Sequence, residues 1–150
     1  MEVLVDTNVI LHASQRGHPQ QLAARGAIAR LRQEGNRPCV ASQNLVELWT
    51  VITRPIANNG FGLGPAQADR ILARVERLVG RLPESDDVYA EWRRLVVSYG
   101  VSGKETHDAR LVAAMIIHGI KRILTFDRAD FARYQEIEVL HPDQPTRAEG

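Results

Sequence analysis

Apolar residues along this chain follow two alternating patterns: short unbroken runs, and longer segments where they recur every three or four positions. Val3, Leu4 and Val5 form the first run, short and β-branched-rich, as expected of a central strand. A helix is expected over residues 19–34, with Leu22, Ala23, Ala27, Ile28 and Leu31 on one face and Gly35 as its stop. PCVAS (38–42) reads as a second strand, and Ser42 as the cap of a helix that runs to Arg54 before Pro55 ends it. Gly and Asn mark 57–64 as a loop. Pro65 opens a helix with apolar Ala68, Ile71, Leu72, Val75, Leu78 and Val79, and a further helix over about 86–99 turns Tyr89, Trp92, Leu95 and Val96 inward. YGVSGKETH leads into a helix over about 106–118, stopped by Gly119. RILTF (122–126) and IEVLH (137–141) are the last strands, and the tail from 143 to 150 reads as frayed. Strands separated by helical segments indicate one α/β domain over 1–142, built around a mostly parallel sheet.

Composition changes this picture little. A chain of 150 residues, 44% of them hydrophobic, suits one domain with a sizeable core, and 25% charged residues argues against disorder. The formal net charge is +1, yet seventeen of the nineteen basic residues are Arg. Arg suits bidentate phosphate recognition, although genomic nucleotide bias yields the same excess. The one cysteine, Cys39, excludes an internal disulfide and any cysteine-only metal site, and its apolar context makes it a core residue. The N-terminus lacks a basic leader, and the most apolar stretch, 111–117, is too short to cross a bilayer. A soluble, cytoplasmic protein without membrane contact is expected.

The chemistry sits in the carboxylates. Open parallel sheets bind ligands beyond the carboxyl ends of their strands. Asp6 follows the first strand at once, and Asp127 stands in the same relation to RILTF. Glu47 lies in the helix after the second strand, and Asp108 in the first turn of a later one. Each has an ordinary explanation alone: a favourable helix dipole for Asp108, a solvated face for Glu47, a turn for Asp127. Asp6 has the weakest such explanation, because its strand is central. Four acids in one pocket would raise each other's pKa, and a divalent cation would relieve them. An all-oxygen donor set favours Mg²⁺ or Mn²⁺, either of which can polarise a phosphoryl oxygen and acidify a water.

Four motifs carry these acids: VDTNVIL with Asp6, NLVELW with Glu47, HDARLVAA with Asp108 and ILTFDRADF with Asp127. In this order and spacing, from residue 3 to about 140, the chain resembles the PIN-domain nucleases, and most closely the VapC-type toxins of prokaryotic toxin–antitoxin pairs. The resemblance implies a PIN-like α/β/α sandwich and a metal-dependent endoribonuclease in which Asp6, Glu47, Asp108 and Asp127 hold Mg²⁺ or Mn²⁺ and act on RNA. It implies that Asn8 supports the first acid and that Thr125 is the supporting hydroxyl that precedes the fourth. Asp130 is an accessory acid or a helix cap before Phe131. An antitoxin partner and a homodimer are implied as well.

Other features are read with their plainer alternatives beside them. Arg70, Arg74, Arg77 and Arg81 form a helical stripe that could track an RNA backbone, with Arg74 and Arg77 at its centre, or simply face solvent. The Gly-rich loop 60–64 lacks the Gly-Lys-Ser/Thr of a P-loop and is expected to supply flexibility beside a cleft or partner surface. Lys104 and His107 flank Asp108 and are candidate phosphate contacts or solvated residues at a helix start. His12, His18, His118 and His141 have no metal-ligand spacing. Rival readings are a metal-free PIN-like module that binds RNA or protein, a DNA-directed nuclease, and an aspartyl-nucleophile phosphatase. The last would resemble D-x-D at the first strand, where this chain has Asp6 and Asn8.

Overall fold

Val3, Leu4 and Val5 are fully buried in the computed structural model, which describes residues 1–144. They form β1 (Glu2–Val5), the middle strand of a five-stranded sheet that includes β2 (Arg37–Val40), β3 (Gly80–Arg81), β4 (Arg122–Leu124) and β5 (Glu138–Leu140). The strand order is β3-β2-β1-β4-β5, and all four pairings are parallel. Between them lie α1 (Thr7–Ser14), α2 (Gln21–Gln33), α3 (Ser42–Thr53), α4 (Pro65–Leu78), α5 (Val88–Ser98), α6 (Thr106–Ile117) and α7 (Arg128–Phe131). Val3 and Val5 join Val40, Leu31, Leu48 and Ile52 on one face of the sheet. Leu4 joins Ile123, Leu95, Leu111, Met115 and Phe131 on the other. Burial on both faces is why β1 reads as an unbroken apolar run. The architecture is the expected α/β/α sandwich.

The chain winds outward from β1 to β2 and β3, then crosses to the opposite side to add β4 and β5. The order therefore reverses between β1 and β4, whose carboxyl ends lie side by side: Leu4 is in register with Ile123 and Val5 with Leu124. Such a switch point leaves a crevice, because the loops leaving neighbouring strands diverge to opposite faces.

Several local expectations need correction. Leu22 and Tyr89 point outward, at 83% and 65% exposure, while Ala24, Ala27 and Leu31 form the buried face of α2. Ala41, not Ser42, occupies the cap position of α3, and the Asn44 side chain accepts from the Ala41 N–H at 2.9 Å. Arg81 is in β3, beyond the helix, with Glu76 at 3.9 Å. The Gly-rich loop is tied down rather than free. Phe61, Gly62 and Leu63 donate their N–H groups to the Val51, Arg54 and Ile52 carbonyls. A Cβ on Gly60 would meet the Arg54 carbonyl oxygen at 1.9 Å, so glycine here permits close backbone approach. Among the described residues, no helix is long and apolar enough to cross a membrane. Residues 145–150 of the expected frayed tail lie outside the described residues.

Candidate active site

Asp6 is the residue at which β1 becomes α1. Its extended backbone leaves the strand, and its Oδ1 accepts the Thr7 N–H at 2.7 Å as the cap of α1. Its Oδ2 accepts the Thr125 hydroxyl, at the end of β4, at 2.8 Å. Both oxygens therefore have donors, yet the side chain is only 8% exposed. Burial pushes the carboxyl up to about 6, opposed by those hydrogen bonds and reinforced by Glu47 and Asp127.

The other acids are brought to Asp6 by amides and hydroxyls. Thr7 Oγ1 donates to Glu47 Oε2 at 2.7 Å and accepts from Asn44 Nδ2 at 3.2 Å, joining α1 to α3. Asn8 bonds to the fourth acid rather than the first: its Nδ2 donates to Asp127 Oδ2 at 3.1 Å, while its Oδ1 accepts the Phe126 N–H at 3.3 Å. Thr125 Oγ1 also accepts the Asp127 N–H at 3.0 Å. Asp108, in the first turn of α6, is pushed up to about 7 by burial first, then by Asp130, Asp6, Glu47 and Glu105. Asp130, inside α7, is raised by burial, Asp127 and Glu105, and Lys104 opposes this. Asp127, not Asp130, holds the cap position of α7.

All four expected acids thus interact electrostatically, with Asp130 beside them. Among the described residues none of the four has an ion-pair partner, despite the abundance of Arg. No group of three or more His, Cys, Asp or Glu side chains among those residues is already arranged to hold a metal ion. Hydrogen bonds orient the acids: Asp6 and Glu47 each accept from protein donors at both oxygens, Glu47 Oε1 from Gln43 Nε2 at 2.9 Å, and every one of these oxygens keeps a second lone pair. The donor chemistry fits Mg²⁺ or Mn²⁺: oxygen only, excess negative charge, and two carboxyls that burial and neighbouring acids raise to about 6 and about 7.

Other candidates fall at the edge or outside. Lys104 is exposed in the turn before α6, and the His107 backbone carbonyl, rather than its ring, makes a site contact, accepting from Gln43 at 2.8 Å. Arg74 and Arg77 are exposed on α4, and Arg74 lines a groove with Ile10, Ile28, Ile71 and Val75 that includes none of the four acids. His12 stacks on His18 at 4.1 Å and meets Phe126 edge-on, and Phe126 in turn packs against His141. Sequence reasoning missed Thr7, Gln43 and Asn44. Their only signal was position, beside Asp6 or one turn before Glu47.

The family model for the PIN domain matches residues 3–137. Among solved structures, VapBC-1 from nontypeable Haemophilus influenzae superposes with a TM-score of 0.71 at 14% identity, covering 96% of this chain and 100% of that one. VapBC2 from Rickettsia felis, bound to a promoter DNA fragment, gives 0.70 at 16% identity over 94% and 98%. Mycobacterium tuberculosis VapC20, a toxin that cleaves the sarcin-ricin loop, gives 0.63 at 20% identity over 87% and 93%. At these identities the likeness is one of fold. No curated protein sequence matches the chain.

Proposed function

The chain belongs to the PIN domain family, and on that premise we propose that it is a Mg²⁺- or Mn²⁺-dependent endoribonuclease, the toxin of a VapBC-type pair. The observation that carries this reading is the set of four mutually repelling carboxylates with no ion-pair partner among the described residues, gathered where the strand order reverses. Asp6, Glu47, Asp108 and Asp127 would hold the cation. A bound Mg²⁺ or Mn²⁺ supplies a polarised phosphoryl oxygen and a water acidic enough to attack near neutral pH.

The chain's own residues do the rest. The Thr7 N–H and Thr125 hydroxyl aim Asp6, and Asn8 aims Asp127 from the same helix turn. Asp108, raised to about 7, is partly protonated near neutrality in the metal-free protein, so cation binding would release that proton and tighten as pH rises. An RNA substrate sets the place of action in the cytoplasm. The VapBC complexes among the structural relatives support an antitoxin partner. A homodimer belongs to the same reading, as the resemblance to VapC-type toxins implies.

The first test is Asp6→Asn. The purified variant, still folded by circular dichroism, should lose RNA cleavage by a factor of roughly 100 or more, as expected for loss of a direct ligand. Turnover equal to wild type would remove Asp6 from the chemistry.

A further inference from the structure

Gln43 stands one helical turn before Glu47, and its amide makes three hydrogen bonds to partners drawn from two helices. Its Nε2 donates to Glu47 Oε1 at 2.9 Å and to the His107 carbonyl at 2.8 Å, while its Oε1 accepts from Arg110 Nη1 at 3.1 Å. These contacts leave the amide only one orientation. Arg110 is purely a donor, and the carboxylate and carbonyl are purely acceptors. A flipped amide would set oxygen against two oxygens and NH₂ against a guanidinium.

The consequence lies in which elements the amide joins. Glu47 projects from α3, and Asp108 directly follows His107 in α6. Thr7 ties α1 to α3 through the other oxygen of Glu47, and Asn8 ties α1 to the end of β4. The α3–α6 side of the site has Gln43 as its polar link, anchored from outside by an Arg bound to the neutral amide rather than to a carboxylate. We propose that Gln43 is a positioning residue: held by Arg110, it sets Glu47 against the first turn of α6 and so fixes the separation of Glu47 and Asp108. The proposal rests on the cation-binding reading above. It goes further in naming the bridge that ties the helices of two of the four acids together.

The test compares Gln43→Met with wild type. Met keeps the length and helix preference and loses every hydrogen bond. By calorimetry, Mn²⁺ should bind the variant roughly 10- to 100-fold more weakly, the usual cost of losing a partner that orients a ligand. The Mn²⁺ concentration giving half-maximal cleavage should rise by the same factor, while turnover at saturating Mn²⁺ stays within about threefold of wild type. A residue of merely structural value would lower the melting temperature without that split. Arg110→Met should weaken Mn²⁺ binding in the same direction and to a smaller extent. A second arm needs no metal. In the nitrogen–proton spectrum of the metal-free protein, the Gln43 side-chain amide protons should lie away from the positions of free amides and move in Arg110→Met. Wild-type Mn²⁺ affinity in Gln43→Met, or free-amide positions for Gln43, would overturn the proposal. Absence of Mn²⁺ binding by the wild type would instead overturn the cation-binding reading, and the amide arm would still decide whether the bridge exists.

Discussion

Thr125 Oγ1 donates to Asp6 and accepts from the Asp127 N–H and from Asn8 Nδ2, so one hydroxyl serves both strand-end acids. That arrangement leaves Asp6 well bonded yet desolvated, with consequences for pH. Its carboxyl rises from 3.8 in the unfolded chain to about 6 in the metal-free fold, and Asp108 rises to about 7. Between these limits the folded protein holds more protons at these two sites than the unfolded one, so their contribution to stability is fully present below about pH 4 and is lost as pH climbs through about 6 and 7. For Asp6 alone the loss is on the order of 3 kcal/mol. Denaturant titrations of metal-free Asp6→Asn should show a shallower decline across this window than wild type. The substitution has its own cost, since the new NH₂ would face a Thr125 hydroxyl whose lone pairs are already engaged. Parallel pH curves for the two proteins would show that Asp6 is not held protonated. At this scale the strand-end acids were legible in the sequence, because a carboxylate directly after a buried run has few ordinary explanations. Thr7 and Gln43 were not. Their roles depend on how α1, α3 and α6 are rotated against one another, which no local pattern encodes.

Among the elements, legibility followed length. The five longest helices were readable from their periodicity. The two-residue β3 and four-residue α7 are too short to carry a period, and α1 is only eight residues long, with Asn8 and His12 interrupting its apolar face. Tyr89 was misplaced because α5 has apolar residues on both faces: Leu95 is fully buried while Val97 is 77% exposed. Glycine content suggested flexibility in the 60–64 loop, whereas the backbone bonds there fold it onto the last turn of α3. Gly60→Ala should destabilise the protein by about 2 kcal/mol or more, since the obstructing atom belongs to backbone and cannot swing aside. A melting temperature within a degree of wild type would show that the loop is free to move after all.

For the molecule as a whole, the parallel order β3-β2-β1-β4-β5 accounts for the site more fully than any single motif. Reversal at β1 and β4 sets Asp6 beside Asp127, and the helices that follow β2 and precede β4 deliver Glu47 and Asp108 to the same crevice. The resemblance carried by motif order implied this convergence: Asp6 and Asp127 stand just past strands, Asp108 lies in the first turn of a helix, and Glu47 lies midway along the helix after β2. Four carboxylates without an ion-pair partner among the described residues are the central feature of the arrangement, and a metal add-back assay probes it most directly. Chelator-treated wild-type protein is incubated with RNA alone and with Mg²⁺, Mn²⁺ or Ca²⁺ restored singly. Cleavage should return with Mg²⁺ and Mn²⁺. Ca²⁺ should bind without supporting turnover, since its larger and looser coordination acidifies and aims water less well. Full cleavage in the presence of EDTA would contradict the account.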